Sequence, residues 1–122
     1  MLNNSLTRAI AEKVEDFNIC FDNYNILPPD TPLYIKNERL EELCVKLELV
    51  VSLHLKALHN LDTLAKTGDY MFRGDVTDSA KELREYLKSY TSMAWNFAEI
   101  LRNSRIKLEY QLELSKLDLQ NK

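Results

Sequence analysis

Five residues interrupt an otherwise helix-compatible chain, and they fall in two clusters. Pro28, Pro29 and Pro32 form the first; Gly68 and Gly74 form the second. Proline and glycine are the strongest local breakers of regular structure, because proline removes a backbone donor and glycine carries the largest backbone entropy. A chain without either over 33–67 and again over 75–122 is committed to long helices. The spacing therefore predicts an all-α fold. The helices are expected at about residues 5–22, 38–67 and 79–118, in one helical domain covering 1–122.

The first segment places Leu6, Ile10, Val14, Phe17 and Phe21 on one side of a helix. Ser5 is its expected N-cap, with Asn23, Asn25 and the Pro28-Pro29 pair ending it. Leu33, Tyr34 and Ile35 then read as an extended connector that covers the core. The second helix is expected to begin after Asn37 as N-cap and to stop at Thr67-Gly68. On a heptad, one position reads Leu40, Leu47, His54, Leu61, the next Leu43, Val50, Ala57, Leu64, and a third Cys44, Val51, Leu58, Ala65. Three apolar positions in seven are the broad stripe of a bundle helix. A further row, Val45, Leu49 and Leu53, makes the first half of this helix apolar on two faces, so it either sits between neighbours or shows a face to a partner.

Ser79 and Glu82 fit a capping box with Val76 as staple, which starts the third helix at Ser79. Leu83, Leu87, Tyr90, Ala94, Phe97 and Leu101 are its core stripe. Leu47, Leu58, Tyr90, Phe97 and Phe17 are expected to be buried together. Counting backwards along the second helix from Ser79 exhausts it near residue 108, so the end of the third helix overhangs. Leu108 and Leu112 continue the stripe there, while Tyr110, Leu114 and Leu117 occupy another side. The fold expected is an antiparallel three-helix bundle or coiled coil with a long, partly protruding third helix.

Composition removes several function classes. Sixteen basic against nineteen acidic residues give a net charge of −3, whereas nucleic-acid binders need a basic excess to meet phosphates. Arg102, Arg105 and Lys107 read as a solvated face. No uninterrupted apolar run approaches the length of a membrane span, and nothing behind Met1 resembles a signal peptide. Cys20 and Cys44 lie in no CxxC or metal-ligand spacing and read as buried thiols of a reduced, intracellular protein. Arg73-Gly74-Asp75 reads as a turn only.

Catalytic chemistry finds no foothold. His54 and His59 point about 140° apart on a helix and cannot share a metal as i, i+4 histidines do; His54 reads as a buried, hydrogen-bonded device that sets register. Glu38, Glu41, Glu42, Glu82 and Glu85 have no Glu-x-x-His companion and read as caps and solubilising groups. No glycine-rich phosphate loop exists, and no serine or cysteine has a histidine–acid arrangement around it. Neither a catalytic, cofactor nor metal site is expected. The expected site is a protein-binding surface: Val45, Leu49 and Leu53 on helix 2, and Trp95, Tyr110, Leu114 and Leu117 on helix 3. Trp95 stands one residue from the core stripe among Thr91, Ser92, Glu99 and Arg102, the setting of a partly exposed interface anchor.

The stretch Asn37-Glu38-Arg39-Leu40-Glu41-Glu42-Leu43-Cys44-Val45-Lys46-Leu47 resembles the N-E-x-L-E-x-L-C-x-x-L of the cyclin-dependent kinase 2-interacting protein family. Ile10, Asp16-Phe17, Tyr24 and Leu27, and then Leu83, Glu85, Ala98 and Leu101, fall in step with it. The resemblance implies a non-enzymatic adaptor of genome maintenance (DNA replication and checkpoint) and of ribosome biogenesis. It implies contacts with cell-cycle kinases, checkpoint factors and an assembly built on AAA-type ATPases, in the nucleus or cytoplasm. A heteromeric complex is expected ahead of a homo-oligomer. The competing readings are a self-assembling coiled-coil subunit of a trafficking or kinetochore complex, whose helix 3 tail pairs with itself, and a small helical ligand carrier or enzyme with His54 and Cys44 lining a pocket.

Overall fold

The computed structural model describes residues 4–67 and 73–120 and is an all-α helical bundle. α1 spans Asn4–Asn25, α2 Leu33–Thr67 and α3 Arg73–Gln120. α2 is the central element. α1 runs antiparallel along its first half and α3 antiparallel along its whole length. α1 and α3 meet through ring contacts, Phe97 lying 6.5 Å from Phe17 and 5.9 Å from Phe21.

The first two heptad rows of α2 form the seam. Leu40, Leu43, Leu47, Val50, His54, Ala57 and Leu61 are all 4% exposed or less, the alternation of three and four that keeps one line of a helix against its partners. Cys44, Val51 and Leu58 are only half-buried and flank the seam on the α3 side; Leu64, Ala65 and Val76 lie outside the described side chains. Phe17, Leu43, Leu47 and Val50 make the main core, with Tyr90 and Phe97 of α3 packed on it. Leu58 belongs elsewhere, contrary to expectation. It packs with Leu61, Ala80 and Leu83 in a second cluster at the far end of the bundle, because an antiparallel partner places the start of α3 beside the end of α2.

Each helix is longer than the local signals indicate. α1 continues to Asn25, since Tyr24 packs on the core and such packing outweighs the weak helix propensity of asparagine. α2 starts at Leu33. Thr31 closes a turn on Pro28, its N–H donating to the Pro28 carbonyl at 3.0 Å and its Oγ1 at 2.6 Å. The Pro32 carbonyl then accepts from Ile35 and Lys36, both at 3.1 Å. Proline is well placed there, because the first N–H groups of a helix have no internal acceptor to lose. Asn37 is therefore no cap; it lies inside α2 and is buried. Leu33, Tyr34 and Ile35 are helical rather than extended, and Tyr34 is exposed.

α3 begins at Arg73, so Arg73-Gly74-Asp75 is helix and not turn, and Ser79 and Glu82 sit within the helix rather than capping it. Gly74 falls in the first turn, where a weak helix former costs least. Ala80 is buried against Leu61, which docks this end of α3 on α2.

The register of α2 and α3 is marked along its length. Arg84 Nη2 donates to Asp62 Oδ1 at 3.2 Å, His54 faces Tyr86 and Tyr90, Arg105 meets Glu41 at 3.2 Å, and Ser104 Oγ donates to Asn37 Oδ1. Extrapolated, Leu108 lies level with Leu33. Leu108 is half-buried and every residue from Glu109 to Gln120 is exposed. The overhang thus begins where expected, but Leu112 gains no cover, because α2 has already ended. Twelve residues of helix would project about 18 Å.

Candidate functional site

Helices that pack through a narrow seam leave their flanks open, and between α2 and α3 the flank is an apolar groove of about 410 Å³. Cys44, Val45 and Val51 line it from α2, Ala94, Trp95 and Ala98 from α3, with Glu41, Glu48 and Thr91 at the rim. The two alanines make it possible. A larger side chain at either position would fill the space that the seam leaves.

Trp95 is 74% exposed. It does not fold onto α1 to close the core; it stands between this groove and a smaller one formed with Ala98, Glu99 and Arg102. The structure therefore joins Val45 and Trp95, far apart in sequence, in a single surface. It does not keep Val45, Leu49 and Leu53 together. Residues four apart on a helix drift about 40° per step, so the row turns out of the groove towards the α1 side, where Glu42 accepts from Cys20 Sγ at 3.8 Å. Val45 and Leu49 are exposed and Leu53 half-buried, in keeping with that rotation. Tyr110, Leu114 and Leu117 are all exposed on the overhang and form a surface separate from the groove.

The electrostatics of the groove are mild. Arg105 lies 3.2 Å from Glu41 with both side chains half-exposed, a contact worth about 0–1 kcal/mol. Burial pushes the Cys44 thiol above its usual value, with Arg105 pulling it back and Glu48 and Glu41 adding to the rise. Cys20 is raised as well, by burial first and then by Glu42. Neither thiol is fully buried, contrary to the sequence reading. Neither is activated as a nucleophile, which would require a lowered pKa.

His54 and Cys44 do not share a pocket. His54 is buried in the seam, with Nδ1 2.8 Å from the Val50 carbonyl and its ring centroid 5.1 Å from that of Tyr90. A carbonyl can only accept, so Nδ1 carries the proton. Among the described residues no group of three or more His, Cys, Asp or Glu is arranged to hold a metal ion, and no helix is long and apolar enough to cross a membrane.

Sequence reasoning missed the pairing of Ala94 and Ala98 with Cys44 and Val51. It placed Cys44, Val51 and Ala94 on core stripes, and only the register of α3 on α2 makes them one groove with Ala98. Comparison with protein-family models, with curated proteins and with solved structures finds no match to this chain.

Proposed function

We propose that this chain is a non-enzymatic adaptor, an interaction subunit of a multiprotein complex that binds a protein partner through the groove between α2 and α3. The observation that carries this reading is Trp95, exposed at the edge of an apolar groove beside Val45. An exposed tryptophan costs solvation in the free chain, and buried aromatic anchors dominate the energetics of protein interfaces. An amphipathic helix laid along Val45, Val51 and Ala98 would bury it.

The likeness of residues 37–47 to the cyclin-dependent kinase 2-interacting protein family extends the proposal to the kind of complex. On that reading the partners are a cell-cycle kinase, a checkpoint factor or an AAA-type ATPase assembly, in DNA replication, checkpoint control or ribosome biogenesis, with the chain in the nucleus or cytoplasm. The ATPase would hydrolyse nucleotide and this chain would position it. That part rests on the sequence pattern alone.

The test is affinity purification of the full chain with mass spectrometry, wild type against Trp95→Ala and Ala98→Trp. Trp95→Ala removes the anchor and Ala98→Trp fills the groove, and neither touches the seam. Loss of the same specific partner in both variants, with unchanged melting temperature, is the expected result. Retention of that partner by both would refute the groove as its site.

A further inference from the structure

Two ion pairs tie α2 to α3 along the flank that carries the groove, Arg105 to Glu41 and Arg84 to Asp62, each at 3.2 Å. Glu41 and Asp62 stand 21 positions apart on α2, and Arg84 and Arg105 stand 21 apart on α3. Packed helices return to the same flank about every seven residues. Stepped that way, the layer reads Glu41, Glu48, Leu55, Asp62 against Arg105, Ala98, Thr91, Arg84. Arginine closes both ends on a carboxylate. At the second step Glu48 supplies the acid, but α3 offers only Ala98, and the groove opens between them with both residues in its lining.

We infer that the groove takes a helix of a partner protein that brings its own arginine or lysine to Glu48. This rests on the groove as the binding site, proposed above, and names the chemistry of its occupant. The stretch from Glu41 to Val51 is about 15 Å long, so roughly three turns of an amphipathic helix fill it. Its apolar stripe covers Val45, Val51, Trp95 and Ala98, and its basic edge lies along α2.

The surrounding charges agree on that sign. The charged residues lining the groove are Glu41 and Glu48, and Glu41 is already matched by Arg105. Among the described residues Glu48 is in no ion pair. Its charge adds to the rise of the Cys44 thiol, so its field reaches into the groove. The rows of α2 turned to this flank carry no lysine or arginine between Glu38 and Asp62; Lys56 is turned about 80° from Glu48 and lies about 12 Å along the axis. On α3, Glu99 and Arg102 lie together beyond Trp95 and offset each other. Lys88 belongs with Glu85 to a separate polar hollow. A helix with an acidic edge would cover Glu48 beside a like charge, which disfavours it. The overhang of a second copy has that fault, since residues 109–120 carry Glu109, Glu113 and Asp118 against Lys116 alone.

The experiment is selection on the full chain from a displayed library of tryptophan-free helical peptides of about 18 residues, with a fixed leucine-alanine stripe and randomised edges. Trp95 is the single tryptophan of the chain, so a blue shift of its fluorescence reports burial directly. Selected peptides are expected to carry arginine or lysine at one edge position, to shift Trp95, and to fail on Ala98→Trp. Glu48→Arg should weaken them at least about tenfold, and exchanging the basic residue of the peptide for glutamate should restore binding to that variant. Glu12→Arg, the same charge change at an exposed position of α1, should leave affinity within about twofold.

Peptides that shift Trp95 and fail on Ala98→Trp, yet bind Glu48→Arg as well as wild type, overturn the basic occupant and leave the groove standing. Equal losses on Glu12→Arg and Glu48→Arg do the same, because the charge then acts through the net field. A library that yields no peptide dependent on both Trp95 and Ala98 overturns the inference and the groove together. A blue shift that grows with concentration of the chain alone puts a second copy in the groove and overturns the partner helix.

Discussion

Ser104 donates a hydrogen bond to the side-chain oxygen of Asn37 across 67 positions of the chain. The contact sits one turn into α2, close to where α3 leaves it, and Asn37 is buried. Among the described residues the Asn37 Nδ2 has no hydrogen-bond partner, so the pair is half-satisfied and holds register at some cost in stability.

Ser104→Ala should leave the whole Asn37 amide unpaired in a buried site and destabilise by about 1–3 kcal/mol. Adding Asn37→Leu removes the stranded polar group, so the double variant should be more stable than Ser104→Ala alone. Urea midpoints decide the order. A double variant less stable than the single would show that Asn37 contributes by shape rather than by its bond.

The core prediction follows the seam. Leu47 is fully buried in the cluster with Phe17 and Val50, and Leu47→Ala should cost about 2–5 kcal/mol. Leu58 is half-buried on the flank, so Leu58→Ala should cost clearly less. Equal midpoints in chemical denaturation would contradict the assignment of Leu58 to the edge.

Both thiols have pKa values pushed above the ordinary 9.0, so the folded chain favours the protonated form. Alkylation by iodoacetamide at pH 8 should be slower in the folded chain than in urea, and the gap should narrow as pH rises past 9. The same sign applies to stability. The contribution is complete below 9.0 and declines as pH rises through the folded values, because the unfolded chain loses these protons first. Faster alkylation of the folded chain at pH 8 would refute the raised values.

Leu114 and Leu117 lie beyond the end of α2 and are exposed among the described residues. Leu114→Asp with Leu117→Asp should therefore leave the melting temperature within about 1–2 °C of wild type at low micromolar concentration, as surface changes do. A large fall, measured by circular dichroism, would mean the tail folds back onto the bundle.

Sequence alone determined the three helices, the seam and the overhang. Five breakers set the segments, and the repeat from Leu40 to Leu61 named the residues that must leave water, since hydrophobic periodicity acts over many turns and is insensitive to where a helix begins. Helix starts were less legible. Asn37 has the chemistry of a cap and Ser79 that of a capping box, yet Pro32 and Arg73 lie earlier, and a side chain able to cap is equally able to bond across the bundle. Tertiary structure decided the site. Cys44, Val51 and Ala94 read in sequence as core-stripe positions rather than as the walls of a groove, and Val45 and Trp95 are distant. They form one groove because α3 packs antiparallel on α2 in the register held by Asn37, His54 and Asp62, and a local pattern carries no information about which turn of one helix faces which turn of another.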